Sequence, residues 1–335
     1  MEVINNIDLY KDKIKSEINK DNLIIFPTET VYGIGANALK KNAVEKIFEV
    51  KTRARNNPLI VHIKSKEDIN KYAVIENEIE QKLIDKFMPG PITIILKKKK
   101  CILDIVTANM DTVGIRVPKN IIAHKFLSIV DVPIAAPSAN ISSRPSGTKV
   151  SDIIDEFNEK VNYIIDGGES DIGLESTVVK VVDNIPLILR PGYITKEMIE
   201  KEIGCCNVSE HVLKEISPTE HVESPGMLYK HYAPKTKCIL IYNKDIDKLK
   251  ELINNNIINK TIILGSSKLK DIDCYKYINY GETLEDISHN IFSKLRECDL
   301  YNANLIIIEG VEKVGLGLAI MNRLLRTASF NYIEK

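Results

Sequence analysis

Leu23-Ile24-Ile25-Phe26-Pro27-Thr28-Glu29-Thr30-Val31-Tyr32-Gly33-Ile34-Gly35 runs from four apolar residues into a polar, glycine-bearing turn. The apolar run predicts a buried strand, and Ala43, Val44, Ile47 and Val50 recur at the spacing of a helix face over 42–50. Strand, turn and helix in that order predict an α/β fold. In open α/β sheets a ligand sits beyond the carboxyl ends of the strands, where this turn offers two threonine hydroxyls, a carboxylate and a phenol. Gly33 and Gly35 would let the backbone approach that ligand. The plainer alternative is that Pro27 and the glycines only shape a turn. Lys51-Thr52-Arg53-Ala54-Arg55-Asn56-Asn57-Pro58 favours the ligand: three cations and three small polar side chains leave the helix just before the apolar strand 59–63, a charge density suited to a triphosphate.

At 335 residues the chain predicts two domains. Lys plus Arg and Asp plus Glu number 46 each, so the net charge is zero. The chain therefore lacks the basic excess of a protein that grips long nucleic acids by their phosphates. No apolar run approaches the ~20 residues needed to cross a bilayer, and the N-terminal residues do not form a secretion signal, so a cytoplasmic location without membrane contact is expected. Six cysteines without a C-x-x-C pair, and six histidines without i, i+4 pairing, predict reduced thiols and no structural metal.

Further along, 66–72 and 78–87 predict scaffold helices, with Ser65 and Asp68 spaced as a capping box. Pro89-Gly90-Pro91 feeds a strand whose Lys97–Lys100 end reads as a solvated charge run. In 111–118 Arg116 alternates with apolar neighbours, as an edge decoration or as a planar fork for a carboxylate or phosphate. A helix over 120–130 leads to Pro137-Ser138-Ala139-Asn140 and a hydroxyl-rich loop to Thr148. Ser176 and Arg190 fall at strand ends, and a helix over 195–203 stops at Gly204. The pattern changes near 205. Tyr229-Lys230-His231-Tyr232 is too rich in side chains for a featureless linker and predicts a segment folded over something. Strands and helices alternate again over 238–335. There Gly315-Leu316-Gly317 imitates the start of a dinucleotide fingerprint, but Ile320 stands at the third glycine and no βαβ unit is expected to follow, so 319–326 reads as an amphipathic packing helix.

In order, Pro27-Thr28-Glu29-Thr30-Val31-Tyr32-Gly33, Lys51-Thr52-Arg53 with Pro58-Leu59, Pro89-Gly90-Pro91, Ile115-Arg116-Val117-Pro118, Pro137-Ser138-Ala139-Asn140 and Ser176-Thr177 resemble the YrdC-like domain. With Ser224-Pro225-Gly226-Met227, His231-Tyr232-Ala233-Pro234 and the extra C-terminal region, the chain resembles the long form of the threonylcarbamoyl-AMP synthase family. The resemblance implies a twisted mixed sheet with flanking helices over 1–205, a linker and lid over 206–237, and a smaller Rossmann-like domain over 238–335. It implies a nucleotidyltransferase that converts L-threonine, bicarbonate and ATP with Mg²⁺ into threonylcarbamoyl-adenylate, pyrophosphate and water. The product would pass to the tRNA threonylcarbamoyl transferase machinery, with no direct tRNA binding required.

By the same resemblance Lys51 and Arg53 would act on the phosphates, and Asn57, Thr112, Ser138, Ser146, Arg190 and Tyr232 would contact ATP. Thr30, Tyr32, His62, Arg116, Ala136 and Ser176 would surround threonine, and His231 and Tyr232 would belong to the lid. One departure is visible: a proline usually follows soon after the arginine of Lys-x-Arg, whereas here Ala54-Arg55-Asn56-Asn57 intervenes before Pro58. Residue by residue, His62 also reads as an ordinary strand histidine. Two other functions fit the residues, a module that holds structured RNA by its phosphates and an ATP-dependent kinase or carbamoyl transferase of another substrate.

Overall fold

The computed structural model describes residues 1–215 and 232–334. Twelve strands form one mixed sheet; its path runs through Glu2–Ile4, Tyr163–Ile165, Ile24–Phe26, Gly33–Asn37, Ile134–Ala135, Ile60–His62, Thr112–Arg116, Ile92–Lys98, Thr177–Val182, Ile185–Arg190 and Asn207–Val208, with Ala73–Val74 beside Ile92–Lys98. The expected strand, turn and helix gains an element: Gly33–Asn37 is itself a strand, antiparallel to Ile24–Phe26, before the helix Lys41–Lys51. A Cβ on Gly35 would lie 2.7 Å from Ile134 Cγ2 and 2.9 Å from Phe26 Cε1, so sheet packing requires that glycine rather than a ligand's approach.

Strand periodicity sorts this sheet into two faces. Ile25, Ile34, Val61, Ile94, Ile115 and Ala135 share the larger core with Ala43, Val44 and Ile47 of helix Lys41–Lys51 and Leu83 and Ile84 of helix Glu78–Phe87. On the opposite face Ile24, Phe26, Ile134 and Ala136 pack against Ile14, Ile18, Phe126 and Leu127 of helices Lys11–Asn19 and Ile121–Val130. These two helices cover only one side of that face, leaving its middle to other contacts. Near Ser65 the helices are shorter than the capping box predicted: a 3₁₀ turn Lys66–Asp68 runs into the single turn Ile69–Tyr72, with no side-chain cap hydrogen bond. Helix Lys196–Ile203 ends at Gly204 in the left-handed conformation, as its sequence signals.

A second, all-parallel sheet has the order Lys276–Asn279, Thr261–Gly265, Leu305–Glu309, Cys238–Tyr242, Tyr332–Glu334. Numbered along the chain this is 3-2-4-1-5, which departs from the 3-2-1-4-5 order of dinucleotide-binding sheets. Ile241, Ile263 and Ile307 face helix Ile246–Asn254. Leu240, Ile262 and Ile306 face helices Leu284–Cys298 and Leu316–Thr327. Contrary to the sequence reading, strand Leu305–Glu309, helix Leu316–Thr327 and strand Tyr332–Glu334 do form a strand-helix-strand unit. The helix also has no solvent face. Asn322, Arg323, Arg326 and Thr327 are buried along with its apolar residues, because the helix pair lies between the second sheet and the first domain.

That docking is polar as well as apolar. Val31, Leu174 and Tyr232 join the apolar cluster of the two helices. Ser288 Oγ donates to the Ile172 carbonyl at 2.7 Å, Arg296 Nη1 to Glu156 Oε1 at 2.7 Å, and Asn322 Nδ2 to the Val212 carbonyl at 2.5 Å. Gly173 has φ +79°, and a Cβ there would stand 2.4 Å from the Ser288 carbonyl oxygen and 2.5 Å from that of His289. Gly168 has almost the same φ, +78°, with nothing within 4 Å. Gly173→Ala should therefore destabilise the chain by about 1–3 kcal/mol more than Gly168→Ala, since backbone strain is common to both and the domain clash is not. Thermal unfolding with limited proteolysis checks this, and equal losses would remove the packing argument.

Candidate active site

The uncovered middle of the first sheet holds a cavity lined by polar and cationic side chains. The sequence placed a ligand beyond the carboxyl ends of strands, and Thr30, His62, Arg116, Ser138 and Arg190 line the cavity at or just past such ends; Ile60 extends it along the sheet face. Ile60 and His62, one pleat apart, both line it, whereas Val61 between them is in the core behind. The central strands Ile60–His62 and Ile134–Ala135 are only three and two residues long. One cavity can therefore span them and collect residues from both directions of the sheet.

Eleven of the sequence-predicted residues meet here: Thr30, Tyr32, Lys51, Arg53, His62, Arg116, Ala136, Ser138, Ser176, Arg190 and Tyr232 all line the cavity. Three do not. Asn57 is buried, and its carbonyl accepts from Arg53 Nε at 3.3 Å while Pro58's accepts from Nη2 at 2.9 Å, so the segment orients Arg53. Ser146 lies one contact away, donating to Glu175 Oε1 at 2.6 Å. Thr112 lines a separate recess with Pro58, Leu59, Ile60 and Gly114, near the opposite end of the strand that carries Arg116. His231 and most of the 224–234 segment lie outside the described residues. Thr28, Asn140, Ser142 and Glu175 also line the cavity without having been assigned a role from sequence. Their signal was adjacency, since each sits beside or within a quoted phrase.

Backbone carbonyls take part in seating Lys51, Arg53 and Arg190. Lys51 is 1% exposed and donates from Nζ to the carbonyls of Ser138, at 2.5 Å, and Asn140. Burial, and then the charge of Arg53, holds its ammonium well below its ordinary range. Arg190 donates from Nε and Nη2 to the Ser176 carbonyl at 3.2 and 3.0 Å, and from Nη2 to Ser176 Oγ at 3.2 Å. Burial is the main cause that lowers Arg190 to about 10, and burial with the charge of Arg190 lowers Arg53 to about 10. Both remain cationic at neutral pH.

Arg116 differs. Its Nη1 donates to Thr30 Oγ1 at 2.9 Å, and its Nη2 lies 2.8 Å from buried Glu29 Oε1 as an ion pair without hydrogen-bond alignment. Nε and Nη2 thus keep donor capacity. Thr28 Oγ1 accepts from the amides of Thr30 and Val31, fixing the turn that presents Thr30. Tyr32 is tied down by its hydroxyl, which donates to the Gly168 carbonyl at 2.7 Å and accepts from the Gly167 amide at 3.1 Å.

No group of three or more His, Cys, Asp or Glu among the described residues is placed to hold a metal. No helix of the described residues is long and apolar enough to cross a membrane.

Residues 16–192 match the family described as telomere recombination, the Sua5/YciO/YrdC domain. Residues 194–329 match the family described as threonylcarbamoyl-AMP synthase, C-terminal domain. The chain is 41% identical over 323 residues to threonylcarbamoyl-AMP synthase of Pyrococcus abyssi, covering 95% of this chain and 93% of that protein. It is 37% identical over 323 residues to the enzyme of the same name from Bacillus subtilis, covering 95% and 92%. The solved structure of P. abyssi Sua5 complexed with L-threonine is similar with a TM-score of 0.92 and 38% identity, over 100% of both chains.

His62 supplies a pH test of this geometry. Burial, and then the charge of Arg116, lowers its pKa from 6.5 to about 3, and its ring meets Phe26 edge-on at 5.8 Å. Above pH 6.5 the imidazole is neutral in both folded and unfolded chains; below it only the unfolded chain takes up the proton. The stability it contributes is complete above 6.5 and is lost as pH falls toward 3. Between pH 6.5 and 5 this loss amounts to about 2 kcal/mol. Urea unfolding at both pH values should show His62→Gln losing less stability on acidification than the parent by about that amount.

Proposed function

We propose that this chain, which belongs to the threonylcarbamoyl-AMP synthase family, joins L-threonine, bicarbonate and ATP into threonylcarbamoyl-adenylate with release of pyrophosphate, as a nucleotidyltransferase. The observation that carries the reading is the meeting of Lys51, Arg53, Arg116 and Arg190 with Thr30, Ser138 and Ser176 in one cavity. One side suits a polyphosphate and the other an amino acid.

On this reading the amine of threonine condenses with bicarbonate to a carbamate with loss of water, and a carbamate oxygen attacks the α-phosphorus of ATP in line with the leaving pyrophosphate. The protein supplies no nucleophile. It supplies position and positive charge, which dominate phosphoryl-transfer chemistry. Two of the three N–H donors of Lys51 are already held by carbonyls, leaving one for a phosphate oxygen. Arg53 and Arg190 add charge on the same side. Mg²⁺ is assigned to the nucleotide and enters as part of the substrate, since the cavity's carboxylate, Glu175, already has both oxygens engaged.

For threonine, the donor capacity left on Arg116 fits a carboxylate, which a guanidinium can grip through two parallel bonds. Thr30, Tyr32, His62, Ala136 and Ser176 form the walls of that half. Neutral His62 adds no competing charge. Tyr232 lines the cavity, and the rest of the lid expected over 224–234 lies outside the described residues apart from Ala233 and Pro234. The product would pass to the machinery that attaches threonylcarbamoyl to adenosine in tRNA, and substrates of this kind fit a cytoplasmic setting.

Pyrophosphate release from ATP and bicarbonate, followed with each amino acid in turn, should be dependent on threonine; release of phosphate, or indifference to threonine, overturns the assignment. Arg116→Lys should raise KM for threonine about 10- to 100-fold with ATP binding little changed, because a point charge replaces a fork. Threonine titrations at saturating ATP measure it.

A further inference from the structure

The peptide unit between Asn140 and Ile141 is hydrogen-bonded at both edges. Its carbonyl accepts from Lys51 Nζ, and its amide, on Ile141, donates to Glu156 Oε2 at 2.7 Å. In this trans unit the C=O and N–H point in opposite directions. An ammonium therefore stands at the negative end of one peptide dipole and a carboxylate at its positive end.

The surrounding contacts leave the unit little freedom. Ser142 N–H donates to the Lys51 carbonyl at 3.0 Å, so the loop that receives the Lys51 ammonium also closes the end of helix Lys41–Lys51. Asn140 Nδ2 donates to the carbonyls of Ile141, at 2.9 Å, and Arg144, at 3.0 Å, while its Oδ1 accepts from Ser138 Oγ at 2.6 Å. Glu156 belongs to helix Val150–Phe157, and its side chain is only 8% exposed. Its other oxygen, Oε1, accepts from Arg296 Nη1 at 2.7 Å and lies 3.5 Å from Arg144 Nε. Arg296, on helix Leu284–Cys298 of the second domain, also donates from Nη2 to the Pro145 carbonyl. The carboxylate is thus held through both oxygens, although Glu156 is not among the residues that line the cavity.

A carboxylate placed directly on Lys51 would cancel the charge that a phosphate needs. One peptide unit away, it instead polarises the carbonyl that solvates the ammonium. Hydrogen bonds in such a chain strengthen one another, and those with a charged partner are the strongest. Burial, and then the charge of Arg53, press the Lys51 ammonium to give up its proton, whereas Glu156 and Glu175 act in the opposite direction.

We propose that Glu156 is a positioning residue for Lys51: through the Asn140–Ile141 peptide it aims and polarises a carbonyl that seats the ammonium, and so keeps the third N–H of a charged lysine for a phosphate oxygen. This role deepens the functional reading above and rests on it. Arg296 extends the same chain of contacts, which places its outer end in the second domain.

The test is binding of ATP with Mg²⁺ by calorimetry in the full-length chain, alongside threonine binding, for the parent, Glu156→Gln, Lys51→Met and the Lys51→Met/Glu156→Gln pair. Glu156→Gln, which keeps an acceptor but removes the charge, should weaken ATP binding about 10-fold with a much smaller effect on threonine. In the Lys51→Met background the same substitution should change ATP affinity by less than about 2-fold, because a residue that acts through another is not additive with it. Equal losses in both backgrounds, no loss in either, or ATP and threonine affinities falling together would make Glu156 a packing residue only and overturn the proposal. A second measurement leaves Glu156 in place. In the amide NMR spectrum of Lys51→Met the Ile141 proton should move upfield, as its hydrogen bond to Glu156 loses a cooperative partner. That resonance decides the matter where the Glu156 variant does not fold or a variant binds ATP too weakly to titrate, and an unmoved Ile141 proton overturns the proposal. A parent chain that binds no ATP would instead overturn the functional reading itself.

Discussion

An ammonium or guanidinium taken out of water loses several kcal/mol of hydration unless protein groups replace it. Lys51, Arg53, Arg116 and Arg190 line one cavity together, and much of the first domain's irregular backbone is spent on seating them. The loop after Ile134–Ala135 turns two carbonyls toward Lys51, the segment before Ile60 turns two toward Arg53, and the entry to strand Thr177–Val182 turns one toward Arg190. Carbonyl dipoles solvate a cation without cancelling its charge. On the proposed reading, a polyphosphate entering this low-dielectric site gains more from those cations than it would in water.

Arg116 is paired with a buried carboxylate, Glu29. On the proposed reading that pair marks the amino-acid half of the cavity. On that reading the spare donors of Arg116 suit the single carboxylate of an amino acid, and a polyphosphate is assigned to the side of Lys51, Arg53 and Arg190. The sheet makes the division possible because its central strands are so short: a longer strand through Ile60–His62 would separate Arg53, before it, from His62 and Arg116, at the far ends of their strands.

How far the sequence could be read follows from the range of each interaction. The alternation around Arg116, the helix face of Ala43, Val44 and Ile47, and the glycine at 204 are local signals, and the elements they predict are present. The strand Gly33–Asn37 was missed because two glycines imitate a turn; only its neighbours Phe26 and Ile134, the second a hundred residues away, explain why side chains are excluded there. The eleven cavity residues were assembled from a family resemblance, since no periodicity links Thr30 to Arg190. Asn57 and Ser146 stand behind Arg53 and Glu175 rather than in the lining, a distinction between a residue and its neighbour's neighbour that spacing does not encode. Helix Leu316–Thr327 was misread for a related reason: polar residues on one helical face normally mean solvent, and nothing local shows that Asn322 and Arg323 have partners more than a hundred residues earlier.

Those partners bear on why a second domain is attached at all. A sheet face that exposes a cationic cavity needs a cover, and an apolar cover would leave the polar edges of the cavity, Glu175 among them, buried without partners. The helix pair of the second domain supplies apolar surface at Val31 and Leu174, where the first domain is apolar, and hydrogen-bonding groups at Ile172, Glu175, Pro191 and Val212, where it is not. Such polar matching restricts the helices to one docking position, because a shift by a single turn would strand a buried guanidinium and a buried carboxylate at once. Apolar packing alone would tolerate neighbouring positions at little cost. Tyr232, which lines the cavity, stacks on Phe292 and lies beside the Arg323 guanidinium, so its place is set by the same docked helix pair.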